Sequence, residues 1–179
     1  LGNWRRYHQA IGKPFPADVA IHVICQVLEA LEYAHTRKNP DGSLARIVHC
    51  DVTPSNVLID IEGHVKLADF GIARIQRSED DRTSSGMVRG KTPYLAPEML
   101  KGVSASPLTD VYSTAVMLHE ILAGENEFRG KSPAETVHRV IEHVASAIEP
   151  VRGDVPEGID AVLAKGLAKD PAKRYQSAE

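Results

Sequence analysis

The sequence predicts an α+β domain that is mostly α-helical, with one small β-hairpin set where loops converge. Ile21, Ile24, Cys25, Leu28 and Leu31 recur at three- and four-residue steps, the period of a helix with one buried stripe. Two short runs, Val57-Leu58-Ile59-Asp60 and Val65-Lys66-Leu67-Ala68, flank Ile61-Glu62-Gly63-His64, and Gly63 admits the positive φ of a tight turn. The stretch from 109 to 123 is apolar on several faces at once, as befits a helix at the centre of a core.

Taken in order, the first helix is expected over residues 17 to 37, with Pro14 and Pro16 ahead of it and the turn signal Asn39-Pro40-Asp41-Gly42 behind. Ile47-Val48 reads as a very short strand and is followed by the hairpin. Residues 72 to 93 have no clean period. Ser78 to Gly86 is polar, and its acids Glu79-Asp80-Asp81 read as the solvated surface of a mobile loop. From Ala96 onward the pattern is helical. A short helix over 96–102 ends at Gly102, and the central helix carries Val111, Ala115, Val116, Leu118, Ile121 and Leu122. Ser132-Pro133-Ala134-Glu135 is a capping box with proline at the first helical position, opening a helix with Val137, Val140, Ile141 and Val144. A last helix runs from about Ile159 to Ala168, after Pro156. No repeat, low-complexity stretch or linker divides the chain.

A chain of 179 residues is long enough for one domain with a real core. Its net charge of -3 gives no basis for a nucleic-acid or anionic-membrane partner. No apolar run approaches the roughly 18 residues that span a bilayer, and the polar start shows no signal peptide. Cys25 and Cys50 make neither a disulfide framework nor a metal-type spacing, and both are expected as small buried thiols in a reducing, cytoplasmic setting. A first residue that is Leu rather than Met predicts a segment of a longer chain.

The chemistry-bearing residues are grouped. His49-Cys50-Asp51-Val52-Thr53-Pro54-Ser55-Asn56 places an Asp five residues before an Asn, just ahead of an apolar run. Thirteen residues after Asn56 stands Asp69-Phe70-Gly71, and Ala96-Pro97-Glu98 follows later. Two oxygen-bearing side chains for a divalent cation and one carboxylate near an acceptor hydroxyl are what phosphoryl transfer requires. In this order and spacing the three segments resemble the catalytic loop, metal-binding loop and activation-segment end of protein serine/threonine kinases of bacterial type, over nearly the whole chain.

The resemblance implies a protein-kinase-like fold, its C-terminal lobe only, with the hairpin at the catalytic cleft. It implies ATP and Mg2+ as cofactors and a protein bearing Ser or Thr as substrate. Asp51 would take or orient the proton of the attacking hydroxyl, Asn56 and Asp69 would hold the metal, and Leu58 would lie beneath the adenine ring. Gly71 would let the backbone turn so that Asp69 faces the metal, while His49 and Phe70 pack. Glu98 is expected to pair with Arg174, and Asp110 to anchor the catalytic-loop backbone.

Several positions depart from the family pattern. Cys50 replaces the usual Arg that pairs with a phosphorylated activation loop, so activity is expected not to require phosphorylation at Thr83, Ser84 or Ser85. Thr53 replaces the usual Lys two residues after Asp51, bringing a hydroxyl without charge, and Lys91 is a candidate substitute cation. Ala115 replaces a common Gly. No glycine-rich loop or Val-Ala-Ile-Lys-like strand precedes residue 17, and relatives carry another helix after the position of Glu179. Residues 1–179 are therefore expected to be a partial kinase domain, inactive alone. A pseudokinase or docking scaffold is the competing reading. Small-molecule kinases of the aminoglycoside or choline type share the H-x-D-x-x-x-x-N loop but lack the Ala-Pro-Glu segment and its Arg.

Overall fold

The computed structural model describes residues 1–45, 47–70 and 91–179. It contains helices α1 (Gly2–Ala10), α2 (Ala17–Thr36), α3 (Pro97–Leu100), α4 (Pro107–Ala123), α5 (Pro133–Glu142) and α6 (Ile159–Gly166). Strands β1 (Val57–Ile59) and β2 (Val65–Leu67) lie between α2 and α3, and Thr92–Tyr94 and Pro171–Lys173 form single 3-10 turns. Among the described residues the fold is mostly helical, with one two-stranded antiparallel sheet. No helix among the described residues is long and apolar enough to cross a membrane.

Helix α4 is the axis of the core. Pro107 at its first turn and the Thr109 hydroxyl, which accepts from the Ser106 amide at 3.1 Å, start it two residues before the apolar pattern does. Gly124, at φ 84°, ends it. All but a few of its side chains are buried, because α2, α6 and the 92–94 turn pack around it.

Helix α2 matches its expected span, but its buried stripe is rotated. Ala20, Val23, Ile24, Val27, Leu31 and Ala34 face the core, whereas Ile21 and Leu28 are half-buried and Cys25 is exposed. Helix α2 packs against α4 and β2, and those neighbours select the buried face. The expectation of a buried Cys25 is thereby corrected, and Cys50 is only half-buried.

The hairpin pairs Val57 with Leu67, Leu58 with Lys66 and Ile59 with Val65. Gly63 takes φ 88°, and the Asp60 carboxylate accepts from the amides of Glu62 and His64 at 3.0 and 2.9 Å, which holds the turn. Ile47-Val48 is not a strand. The amides just after it are drawn to a buried carboxylate on α4 rather than to a neighbouring strand. An isolated bridge, Lys38 to Leu44, closes the preceding turn instead.

Sequence patterning does not reveal α1, whose composition is polar. Its stability is tertiary. Trp4 and His8 pack on buried Phe15 at ring separations of 5.1 and 5.2 Å, and the Gly2 amide donates to Pro54 O at 3.0 Å. At the start of α5 the box is shifted. Ser132 Oγ accepts from the Glu135 amide at 3.1 Å, but the Glu135 carboxylate reaches back to the Lys131 amide rather than to that of Ser132.

Candidate active site

Asp110, fully buried in the first turn of α4, organises the loop that precedes β1. Its Oδ2 accepts from the His49 amide at 2.8 Å, its Oδ1 from the Cys50 amide at 2.8 Å, and His35 Nε2 of α2 lies 2.8 Å from Oδ2. Two consecutive amides aimed at one carboxylate fold the chain sharply. Cys50 accordingly has φ 63°, a left-handed conformation that costs a non-glycine residue about 1–2 kcal/mol. The sharp bend presents Asp51 at the loop's outer side. Sequence pattern does not single out His35: a lone His near a helix end carries no pattern, and only its burial against Asp110 reveals its place.

His49 connects this loop to the segment after β2. The Asp51 amide donates to His49 Nδ1 at 3.2 Å, and His49 Nε2 lies 3.0 Å from Ala68 O. Both contacts are satisfied only by the tautomer with hydrogen on Nε2. The His49 ring stacks obliquely on Phe70, 4.5 Å between centroids. His49 therefore serves as a packing and hydrogen-bonding group, and Phe70 as a packing group.

Asn56 is tied to Asp51. Its Nδ2 donates to the Asp51 carbonyl and to Asp51 Oδ2, each at 2.8 Å. Those bonds occupy the amide nitrogen and leave Oδ1 as a hard oxygen donor. The Ala68 amide donates to Asn56 O at 2.8 Å, continuing the β1–β2 register by one pair, and Asp69 is the residue that follows Ala68. Asp69 is exposed and has φ 58°. The sharp turn thus falls on Asp69 itself, and Gly71 lies outside the described residues. One amide oxygen and one exposed carboxylate suit Mg2+, which takes few protein ligands and keeps room for water and phosphate oxygens.

Thr53 is 3% exposed, and its hydroxyl lies 2.8 Å from Ser55 Oγ. Leu58 is 54% exposed on β1 and borders two cavities. One, of about 350 Å³, runs past Thr53, Lys91 and Arg129, and the other, of about 710 Å³, past Trp4, His22 and the hairpin turn. Lys91 Nζ forms an ion pair with Asp51 Oδ2. The loop residues Thr83, Ser84 and Ser85 lie outside the described residues.

The activation-segment end is pinned from below. Arg174 is buried and forks onto Glu98, Nη1 to Oε1 and Nη2 to Oε2, both at 2.7 Å. Tyr94 is buried too, its hydroxyl donating to Glu120 Oε2 and its carbonyl accepting from Ser113 Oγ at 2.7 Å. The Tyr94–Glu120 bond has no sequence signature, since 26 residues separate the partners.

These features define a protein kinase lobe, and comparison with known proteins agrees. The family model described as "Protein kinase domain" matches residues 2–179, and the chain belongs to that family. It is 34% identical over 165 residues to the serine/threonine-protein kinase PknB of Mycobacterium leprae, covering 92% of this chain and 25% of the relative. It is 35% identical to PknL of Mycobacterium tuberculosis, covering 92% and 39%. A third relative, named tyrosine-protein kinase MasK, from Myxococcus xanthus, is 32% identical over 92% of this chain and 25% of its own length. The chain thus spans between a quarter and two fifths of the length of these relatives.

Proposed function

We propose that this chain is the larger lobe of a magnesium-dependent protein serine/threonine kinase, which transfers the γ-phosphate of ATP to a Ser or Thr hydroxyl of a protein. The observation that carries the proposal is the hydrogen-bonded Asp51–Asn56 pair, with Asp69 following directly on Ala68, the residue paired with Asn56. Asp51 accepts the acceptor's proton as the oxygen–phosphorus bond forms and the bond to the ADP leaving group breaks. Asn56 Oδ1 and the Asp69 carboxylate hold Mg2+, which when bound neutralises charge on the phosphate oxygens. Leu58 offers an apolar surface for the adenine ring, and Thr53, its hydroxyl bonded to Ser55 Oγ, borders the cavity on the acceptor side. The Pro54 that follows Thr53 favours serine/threonine over tyrosine acceptors.

In this reading residues 1–179 are a partial kinase domain. Transfer then needs a glycine-rich loop from a smaller lobe as its complement, and the protein acts in the cytoplasm. Because Cys50 cannot form a charged fork with a phosphate, replacing Thr83, Ser84 and Ser85 together by Ala leaves the transfer rate within about twofold in a steady-state assay.

The test is transfer of labelled phosphate from ATP by the full-length protein, with phosphoamino-acid analysis of the product. Asp51→Asn is expected to lower the rate by at least about 100-fold while magnesium-dependent nucleotide binding persists. Asp69→Asn should weaken that binding itself, and the isolated 1–179 segment should show no transfer. Magnesium-nucleotide binding without any transfer by the full-length wild type identifies a pseudokinase scaffold instead.

A further inference from the structure

We infer that Lys91 is a catalytic residue: its ammonium, reaching in from the activation-segment end, supplies the positive charge on the transferring phosphoryl group that the Asp51 loop itself lacks. This rests on the kinase reading above and adds a residue to it.

The loop offers no cation of its own between Asp51 and Asn56. Thr53 is buried, and its hydroxyl is engaged with Ser55 Oγ at 2.8 Å. Lys91 Nζ pairs instead with Asp51 Oδ2, the same oxygen that accepts from the Asn56 amide. Lys91 also borders the cavity whose wall includes Thr53, Pro54 and Ser55. One ammonium therefore joins the proton-accepting carboxylate to the space beside the acceptor side of the loop.

Its backbone is anchored by hydrogen bonds. The Lys91 carbonyl accepts from the Tyr94 amide at 3.0 Å, closing the 3-10 turn, and Tyr94 is buried and bonded to Glu120 and Ser113. From that turn the lysine extends to Asp51.

A purely structural role is too small to account for this placement. The Lys91 and Asp51 side chains are 39% and 23% exposed, and ion pairs this accessible contribute little to stability. An ammonium bordering the cavity beside Thr53, Pro54 and Ser55 meets phosphoryl oxygens whose charge is spread and mobile in the transition state. An interaction greater there than in the ground state is the condition for a rate effect.

The test uses the full-length protein and compares wild type with Lys91→Met, Lys91→Arg and Asp51→Asn. Lys91→Met is expected to lower kcat about 100-fold, with KM for ATP within about twofold and the melting temperature unchanged. Calorimetry should show unchanged affinity for ADP but a comparable loss for ADP with aluminium fluoride and an acceptor peptide, a mimic of the transition state. Lys91→Arg should retain most of both. A Lys91→Met variant that keeps kcat within threefold and binds the mimic like wild type overturns the inference. If Asp51→Asn is inactive in that same case, the kinase reading survives and only the role of Lys91 falls. If the wild type itself transfers nothing, both fall together.

Discussion

Asp110 shows how one buried side chain can set the geometry of a loop on another element. Replacing it by Ala leaves the amides of His49 and Cys50 and the ring of His35 without their acceptor. Each buried group so orphaned costs about 1–3 kcal/mol. Asp110→Ala is therefore expected to destabilise the lobe by at least about 3 kcal/mol in chemical denaturation. It should also release the strained Cys50 backbone and displace Asp51. Asp110→Asn, which retains one acceptor oxygen, should lose less. The residue type and position of Asp110 are legible as a first-turn acid that matches a family pattern. Its His35 contact is not, because nothing in a linear pattern brings residues 75 apart together.

At the scale of elements, two contacts decide how the helices meet. The Glu98–Arg174 fork ties α3 to the segment after α6. Arg174 also donates from Nε to Ala168 O at 2.7 Å and from Nη1 to Leu108 O at 3.0 Å. Removing one partner by Arg174→Met or Glu98→Ala strands the other charge in the interior, at about 3–5 kcal/mol, measurable as a lower denaturation midpoint. The second contact joins α4 and α6. A Cβ added at Gly166 would lie 2.8 Å from Ala115 Cβ, closer than two methyl groups tolerate. Gly166→Ala should thus lower stability by about 1–3 kcal/mol despite its better helix propensity. Combining it with Ala115→Gly should restore part of the loss, a non-additivity visible in a double-mutant cycle. The Ala at 115 is visible as a departure from a common Gly, but its complement at Gly166 emerges only when the two helices cross.

Across the whole molecule, the charged layer beneath α4 makes stability depend on alkaline pH. Lys169 lies beside Arg174. Its Nζ donates to Val140 O at 2.8 Å and sits 4.7 Å from the Phe128 ring centroid. Burial, with a further contribution from Arg174, lowers its pKa to about 8. In the unfolded chain the same group keeps its proton to about pH 10.4. Between those values the unfolded state binds more protons than the folded one, so this group's contribution to stability rises with pH from about 8 upward and is flat below. The difference in denaturation midpoint between wild type and Lys169→Met should therefore shift in favour of wild type from pH 7.5 to pH 9.5. A constant difference would show that Lys169 does not titrate in that range.

Helix spans from α2 onward and the hairpin with its glycine turn follow from local pattern, where period or neighbours declare the residues. The Glu98–Arg174 pairing and the anchoring role of Asp110 follow only from the family resemblance, since 76 and 61 residues separate the partners. The rotated face of α2, the existence of α1, the absence of a strand at Ile47-Val48 and the reach of Lys91 to Asp51 follow from neither. In every one of those cases the deciding partner is distant in the chain: α4 for the face of α2, Phe15 for α1, Asp110 for the His49 and Cys50 amides, Asp51 for Lys91. The order of residues sets which chemical groups this protein has. Which of them meet is settled on folding, because burial and hydrogen bonding are satisfied between elements, and a one-dimensional pattern records only what lies within one.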